Sequence, residues 1–225
     1  MCNNRRIKIV TGHFGSGKTE IAINLAFQEK MFHARVALND LDVINTYYRS
    51  RDAAKELKKS GIELIAPKEK LATADLPIVS GEIYRILHDS SYRLIVDAGG
   101  DQDGATALGQ YYHEWKDQDV EMIFVLNANR PYVSSIDGIL STISRIEAAS
   151  RLKVTGIINN SNVGHETTLE DISQGLTLSE IVSEKLEIPF LFTTISNQFK
   201  IETNSFASKN HVMFLQRFIK LPWES

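Results

Sequence analysis

Short runs of consecutive apolar residues, rich in valine and isoleucine, alternate along the chain with longer stretches in which apolar residues recur every three or four positions. The first pattern marks strands buried on both faces, and the second marks helices that lay one side on a core. Strands are expected at "IKIVT" (7–11), "RVALND" (35–40), "IELIA" (62–66), "YRLIVDA" (92–98), "EMIFVLNA" (121–128), "VTGIINN" (154–160) and "PFLFTTI" (189–195). Helices are expected over Lys18–Glu29, from near Tyr48, and over Gly81–His88, Ala105–Trp115, Ser135–Ala149, Leu169–Glu184 and Lys209–Ile219. The alternation predicts an α/β fold, a mainly parallel sheet of about seven strands with helices on both faces. Ligands of such sheets sit beyond the carboxyl ends of the strands, so the residues just after each strand are the ones to read.

Composition narrows this picture. A chain of 225 residues, 43 % hydrophobic, suits one large α/β domain over residues 1–225. No Gly/Ser-rich linker or repeat interrupts it, and the five prolines fall at or near element ends. Cys2 is the sole cysteine, which excludes an internal disulfide and any CxxC site. The net charge of −3 gives no reason to expect nucleic acid or an anionic membrane surface. No run has transmembrane length and the N-terminus lacks the apolar stretch of a signal peptide, so a cytoplasmic protein is expected.

Candidate chemistry begins at "TGHFGSGKTE", directly after the first strand. Gly12, His13, Phe14, Gly15, Ser16, Gly17, Lys18 and Thr19 match G-x-x-x-x-G-K-[ST]. Its glycines let the backbone curl so that successive N–H groups face phosphate oxygens. Lys18 reaches the β- and γ-phosphates, and the Thr19 hydroxyl is a Mg²⁺ ligand. The start of the next helix adds partial positive charge. Strand, loop and helix stand in the order that this phosphate loop requires.

Acids follow two further strands. "LNDLD" supplies Asp40 and Asp42, and "LIVDAGGD" supplies Asp97, Gly99 and Gly100. A carboxylate at a buried strand end is expensive unless something compensates it, and a Mg²⁺ with its waters would do so for Asp97. The D-x-x-G spacing suggests that the Gly100 N–H senses a γ-phosphate and moves the segment after it. Asp101 and Asp103 read as helix caps.

Together the loop, "DLD", "VDAGG" and a late "NNSN" resemble the ParA/MinD/CobQ branch of P-loop NTPases, over most of the chain from about Arg6 onward. The resemblance implies that Asp42 orients the attacking water, that Asp40 supports the metal or the switch, and that Asp97 is the water-mediated Mg²⁺ acid. It implies that Asn160 contacts adenine, and that ATP with Mg²⁺ is the cofactor pair. ParA and MinD carry a signature lysine as the second loop residue, which crosses a nucleotide-sandwich dimer. His13 stands there, and neutral imidazole does not supply that fixed charge. A nucleotide-dependent homodimer is therefore something to test.

The base follows from "NNSN". A guanine reader uses N-K-x-D, whose aspartate accepts two protons, whereas here no lysine follows and Asn162 occupies the aspartate position. ATP is the expected nucleotide. The expected function is a slow Mg-dependent ATPase acting as a conformational switch for a protein partner. One alternative is an ATP-dependent ligase or transferase of dethiobiotin-synthetase-like type, although those enzymes usually have a loop one residue longer. Another is a metallochaperone GTPase like UreG and HypB, which would need a thiolate or histidine cluster, and the six histidines are scattered. "NTYYRSRD" after Asp42 is where a nucleotide state would be read out. Residues 49–70, with seven basic side chains against four acidic ones, read as a charged exposed helix. "NANRPYVSS" (127–135) is expected to close over the base or γ-phosphate, with Arg130 weighed as a finger in cis against an ordinary loop arginine.

Overall fold

A computed structural model describes residues 5–42, 53–66, 82–100, 102–199, 206 and 211–219. Its strands are β1 (Ile7–Thr11), β2 (Val36–Asp40), β3 (Ile62–Ile65), β4 (Arg93–Asp97), β5 (Val120–Leu126), β6 (Gly156–Asn159), β7 (Phe190–Ser196) and β8 (Val212–Leu215). Its helices are α1 (Lys18–Lys30), α2 (Ala54–Lys59), α3 (Glu82–His88), α4 (Gln102–Gln110), α5 (Tyr112–Trp115), α6 (Ile136–Ser150) and α7 (Leu169–Leu186). The strands form one sheet in the order β3-β2-β4-β1-β5-β6-β7-β8, and every neighbouring pair is parallel. The expected α/β P-loop architecture is therefore present, with eight strands rather than seven.

Alternate residues of the central strands serve opposite faces. Ile7, Ile9, Leu94, Val96, Met122 and Phe124 pack with the apolar sides of α3 to α7. Val10, Ile95, Ile123 and Val125 pack instead with α1, α2 and the segment after β8. Sequence periodicity located the remaining elements within a few residues, and two expectations need correction.

The helix expected over Ala105–Trp115 is two helices. The Tyr111 N–H reaches back three residues to the Leu108 carbonyl, and the Trp115 indole donates to the same oxygen at 3.2 Å. That carbonyl is thereby taken from the regular ladder. The larger correction is at the C-terminal end, where the helix expected over Lys209–Ile219 is the edge strand β8. It pairs with β7 in the register Thr193↔Val212 to Ser196↔Leu215. The spacing of Val212, Leu215 and Ile219 suits a helix, but the β-branched and aromatic run "VMFL" also suits a strand, and pairing with β7 decides it. The helix expected from near Tyr48 is described from Ala54; its earlier part, Tyr47–Arg49, Asp101 and residues 220–225 lie outside the described residues.

The segment after β8 is clasped by α1. Glu20 accepts the N–H groups of Phe218 and Ile219 at 2.6 and 3.2 Å. Asn24 accepts the Gln216 N–H at 2.9 Å and donates to its carbonyl at 2.8 Å. Two side chains thus stand in for a neighbouring strand, and Phe27 stacks on Phe218 beside them.

Candidate functional site

The strand order brings three carboxyl ends together. Asp97 closes β4 in register with Val10 of β1 on one side and with Asp40 of β2 on the other. The chain leaves β1 directly into the phosphate loop, so the acids stand beside it. Local chemistry then shapes the loop. Gly17 is the N-cap of α1 with φ 86°, a left-handed conformation that glycine adopts without strain, and it supplies no capping side chain. The N–H donors that a cap would satisfy stay available to an anion. The Ser16 N–H closes a turn on the His13 carbonyl at 3.1 Å.

Lys18 is buried, and its ammonium lies 3.4 Å from the His13 carbonyl oxygen. The Thr19 hydroxyl hydrogen-bonds the Asp97 carboxylate, which is fully buried. Burial first, and the adjoining Asp40 charge second, push the Asp97 carboxyl up to about 8, against the pull of Lys18 and Thr19. Asp40 accepts the Asp42 N–H at 3.2 Å, which fixes the D-x-D turn. Asp42 in turn adjoins Gly99, where an added Cβ would lie 3.3 Å from its Oδ1.

Gly100 is the tightest junction. A Cβ there would overlap the Gly12 carbonyl and lie 2.6 Å from Lys18 Nζ. The end of β4 is packed on the phosphate loop through a bare backbone, which no other residue type permits.

Asn160 lies beneath the loop. Its Nδ2 donates to the Ser16 carbonyl at 2.7 Å, and its Oδ1 accepts from the Thr194 hydroxyl at 2.5 Å. This side chain, expected at the base, is in contact with the phosphate loop's own backbone and with β7. Asn162 donates to the Asn160 carbonyl at 2.8 Å and accepts the Gly164 N–H at 3.3 Å. His13 and Phe14 sit at the rim, Phe14 63 % exposed and the His13 ring 5.8 Å from that of Tyr132. Ser16 is fully buried beside Gly12.

Sequence reading passed over Thr194 and Asn127. Asn127 joins the ends of β5 and β6 by donating to the Asn162 carbonyl at 3.0 Å and accepting the Asn162 N–H at 3.3 Å. The available signal was a polar residue directly after an apolar run, "FVLN" for Asn127 and "FLFTT" for Thr194. Arg130 is also brought in, its Nε donating to the Gly15 carbonyl at 2.9 Å.

The residues fit Mg²⁺. Among the described residues no group of three or more His, Cys, Asp or Glu side chains is placed to hold a metal. Mg²⁺ at phosphoryl sites does not need such a cage, because one or two carboxylates, water and the phosphates supply its six oxygens. Thr19 joined to a buried Asp97 is a donor set of that kind. No helix among the described residues is long and apolar enough to cross a membrane.

Comparisons with known proteins agree with this geometry. No curated protein matches the sequence significantly. Solved structures share the fold: FtsY, a cell division protein of Thermotoga maritima, at 20 % identity and TM-score 0.59, covers 87 % of this chain and 63 % of its own. The signal recognition particle 54 kDa protein of Aeropyrum pernix, in complex with GDP, matches at 18 % and 0.55, over 86 % of this chain and 42 % of its own. This chain therefore spans less than two thirds of either. A nucleotide-binding protein of Archaeoglobus fulgidus, in complex with ADP, matches at 15 % and 0.50, over 84 % of this chain and 80 % of its own. The model of the CobQ/CobB/MinD/ParA nucleotide-binding domain matches residues 7–199. With the loop, the paired acids and the strand order in agreement, the chain belongs to the CobQ/CobB/MinD/ParA nucleotide-binding family.

Proposed function

We propose that the protein binds ATP with Mg²⁺, hydrolyses it slowly, and acts as a nucleotide-driven conformational switch for a protein partner. The observation that carries this reading is Gly100 packed on Gly12 and Lys18. A terminal phosphate held by Lys18 lies within reach of the backbone that leads out of β4. Asp42 flanks the same junction and leads out of β2, so two segments answer to one phosphate.

In this mechanism Lys18 and the loop N–H groups neutralise the phosphates, and Asp42 orients the attacking water. Thr19 and Asp97, with support from Asp40, would hold Mg²⁺, which when bound supplies charge to the phosphate oxygens. ATP is favoured over GTP because Asn162 has an amide where a guanine reader needs a carboxylate, and both ends of that amide contact the local backbone. Some related structures are in complex with GDP and another with ADP, so the base rests on Asn162.

The test is calorimetric titration with ATP, GTP and ADP, followed by light scattering and limited proteolysis without nucleotide, with Mg·ADP and with a non-hydrolysable Mg·ATP analogue. ATP is expected to bind at least tenfold tighter than GTP. The analogue alone is expected to change the mass or the cleavage pattern. Identical mass and cleavage in all three states would overturn the switch. A mass doubled by the analogue would establish a nucleotide-dependent homodimer despite His13.

A further inference from the structure

Arg130 is distinguished by its anchor, the phosphate loop. Arg35, Arg85 and Arg93 each pair with a carboxylate, whereas Arg130 pairs with none among the described residues. It is exposed, and among the described residues its side chain hydrogen-bonds the phosphate loop itself, from Nε to the Gly15 carbonyl. A guanidinium has five N–H donors in a fixed plane, so four remain on Nη1 and Nη2. The bond to Gly15 sets the direction of that plane.

The loop that carries Arg130 is pinned at several points. The Arg130 N–H closes a turn on the Asn127 carbonyl at 3.0 Å, and Asn127 Oδ1 accepts the Asn129 N–H at 3.1 Å. The Ala128 N–H donates to Ser161 at 2.9 Å. Further on, Val133 is buried in the core and Ser135 caps α6. Tyr132, between Arg130 and Val133, holds φ 67°, a left-handed conformation that costs a non-glycine residue energy. A cation on so fixed a loop needs little reorganisation to act on a charge beside it.

We propose that Arg130 is a phosphate-contacting residue supplied in cis, its fork laid against the terminal phosphate of the bound nucleotide. The inference rests on the nucleotide-binding role proposed above and adds the residue that separates triphosphate from diphosphate. Lys18 approaches from below as a buried point charge, and Arg130 approaches from the solvent side as a planar donor. The second fixed cation that the loop lacks at His13 is thus provided by the same chain.

The experiment compares the affinities of wild type, Arg130→Ala, Arg130→Gln and Arg130→Lys for Mg·ADP and for a non-hydrolysable Mg·ATP analogue, alongside their melting temperatures. Arg130→Ala and Arg130→Gln are expected to weaken the analogue on the order of tenfold or more and to leave Mg·ADP within about threefold, with unchanged melting. Arg130→Lys, which keeps charge without the fork, should recover part of the loss. Equal weakening of both nucleotides would mean that Arg130 only braces Gly15, and unchanged affinities would mean that it touches no phosphate. Either result overturns the role while leaving nucleotide binding intact. Wild-type protein that binds neither nucleotide would overturn the nucleotide reading, and this inference with it.

Discussion

Asp97 shows how one side chain couples stability to ligand. Its carboxyl is held near 8 in the fold against 3.8 for the free group, so the folded state favours the protonated form. Between those values a rising pH forces charge into a buried position, and stability without ligand should fall from about pH 4 to pH 8. Asp97→Asn should raise stability at pH 8 by about 1–3 kcal/mol and flatten the pH dependence. Urea melts at pH 5 and pH 8 check both. The same variant should lose the Mg²⁺ dependence of nucleotide binding, measured by titration with and without the metal. Gly100→Ala is the steric counterpart. A methyl group meeting the Gly12 carbonyl should destabilise the protein by about 1–3 kcal/mol and remove the difference between Mg·ADP and the triphosphate analogue in proteolysis.

Asn160 makes the link from residue to element, because its amide joins the phosphate loop to β7. Asn160→Ala should cost about 1–3 kcal/mol by leaving the Ser16 carbonyl unsatisfied, while the Thr194 hydroxyl keeps the Asn159 carbonyl at 3.2 Å. If bracing is its whole role, ATP and GTP will weaken in parallel; a changed ATP-to-GTP ratio would show that it also reads the base. The comparison bears on what was legible in the sequence. The phosphate loop and the two acid motifs could be read directly because their chemistry is local: consecutive residues, a fixed turn and a strand end. Asn160 could be located but its contacts could not, since Thr194 is 34 residues away and the amide reads the same whether it faces a base or a backbone. β8 was misread for a related reason. Four residues fit either period, and only pairing with β7 and the clasp from α1 decide between them.

Across the whole molecule, the end of the sheet opposite the phosphate loop carries a buried charge cluster. Lys8 of β1 pairs with Glu29 of α1 and lies in register with Glu121 of β5, both Lys8 and Glu121 being almost fully buried. Burial raises the Glu121 carboxyl above its ordinary range, and Lys8 pulls it back. Lys8→Met alone would leave the buried Glu121 without its nearest cation, while Glu29 keeps Arg93, and should cost about 3–5 kcal/mol. Adding Glu121→Leu should recover a large part of that, and denaturant melts of the single and double variants measure the coupling. Apolar periodicity gave the sheet and its two covered faces, because burial on both sides leaves a continuous hydrophobic signature. It gave no hint of the cluster, since a lysine inside "IKIV" looks like a surface residue until its neighbours are known.

The clasp on α1 also bears on the order in which the protein can be made. Glu20 and Asn24 wait for partners 192 to 199 positions later in the chain, while Thr19, the last residue of the phosphate loop, adjoins Glu20. During translation the loop and its helix emerge early, and nearly the whole sheet must follow before their last contacts can form. A nascent chain without residues 212–219 leaves a carboxylate and an amide beside the phosphate loop with no backbone to hold. The emergence of residues 212–219, and not the appearance of the loop, is therefore the point at which the helix behind the phosphate loop first gains its last contacts.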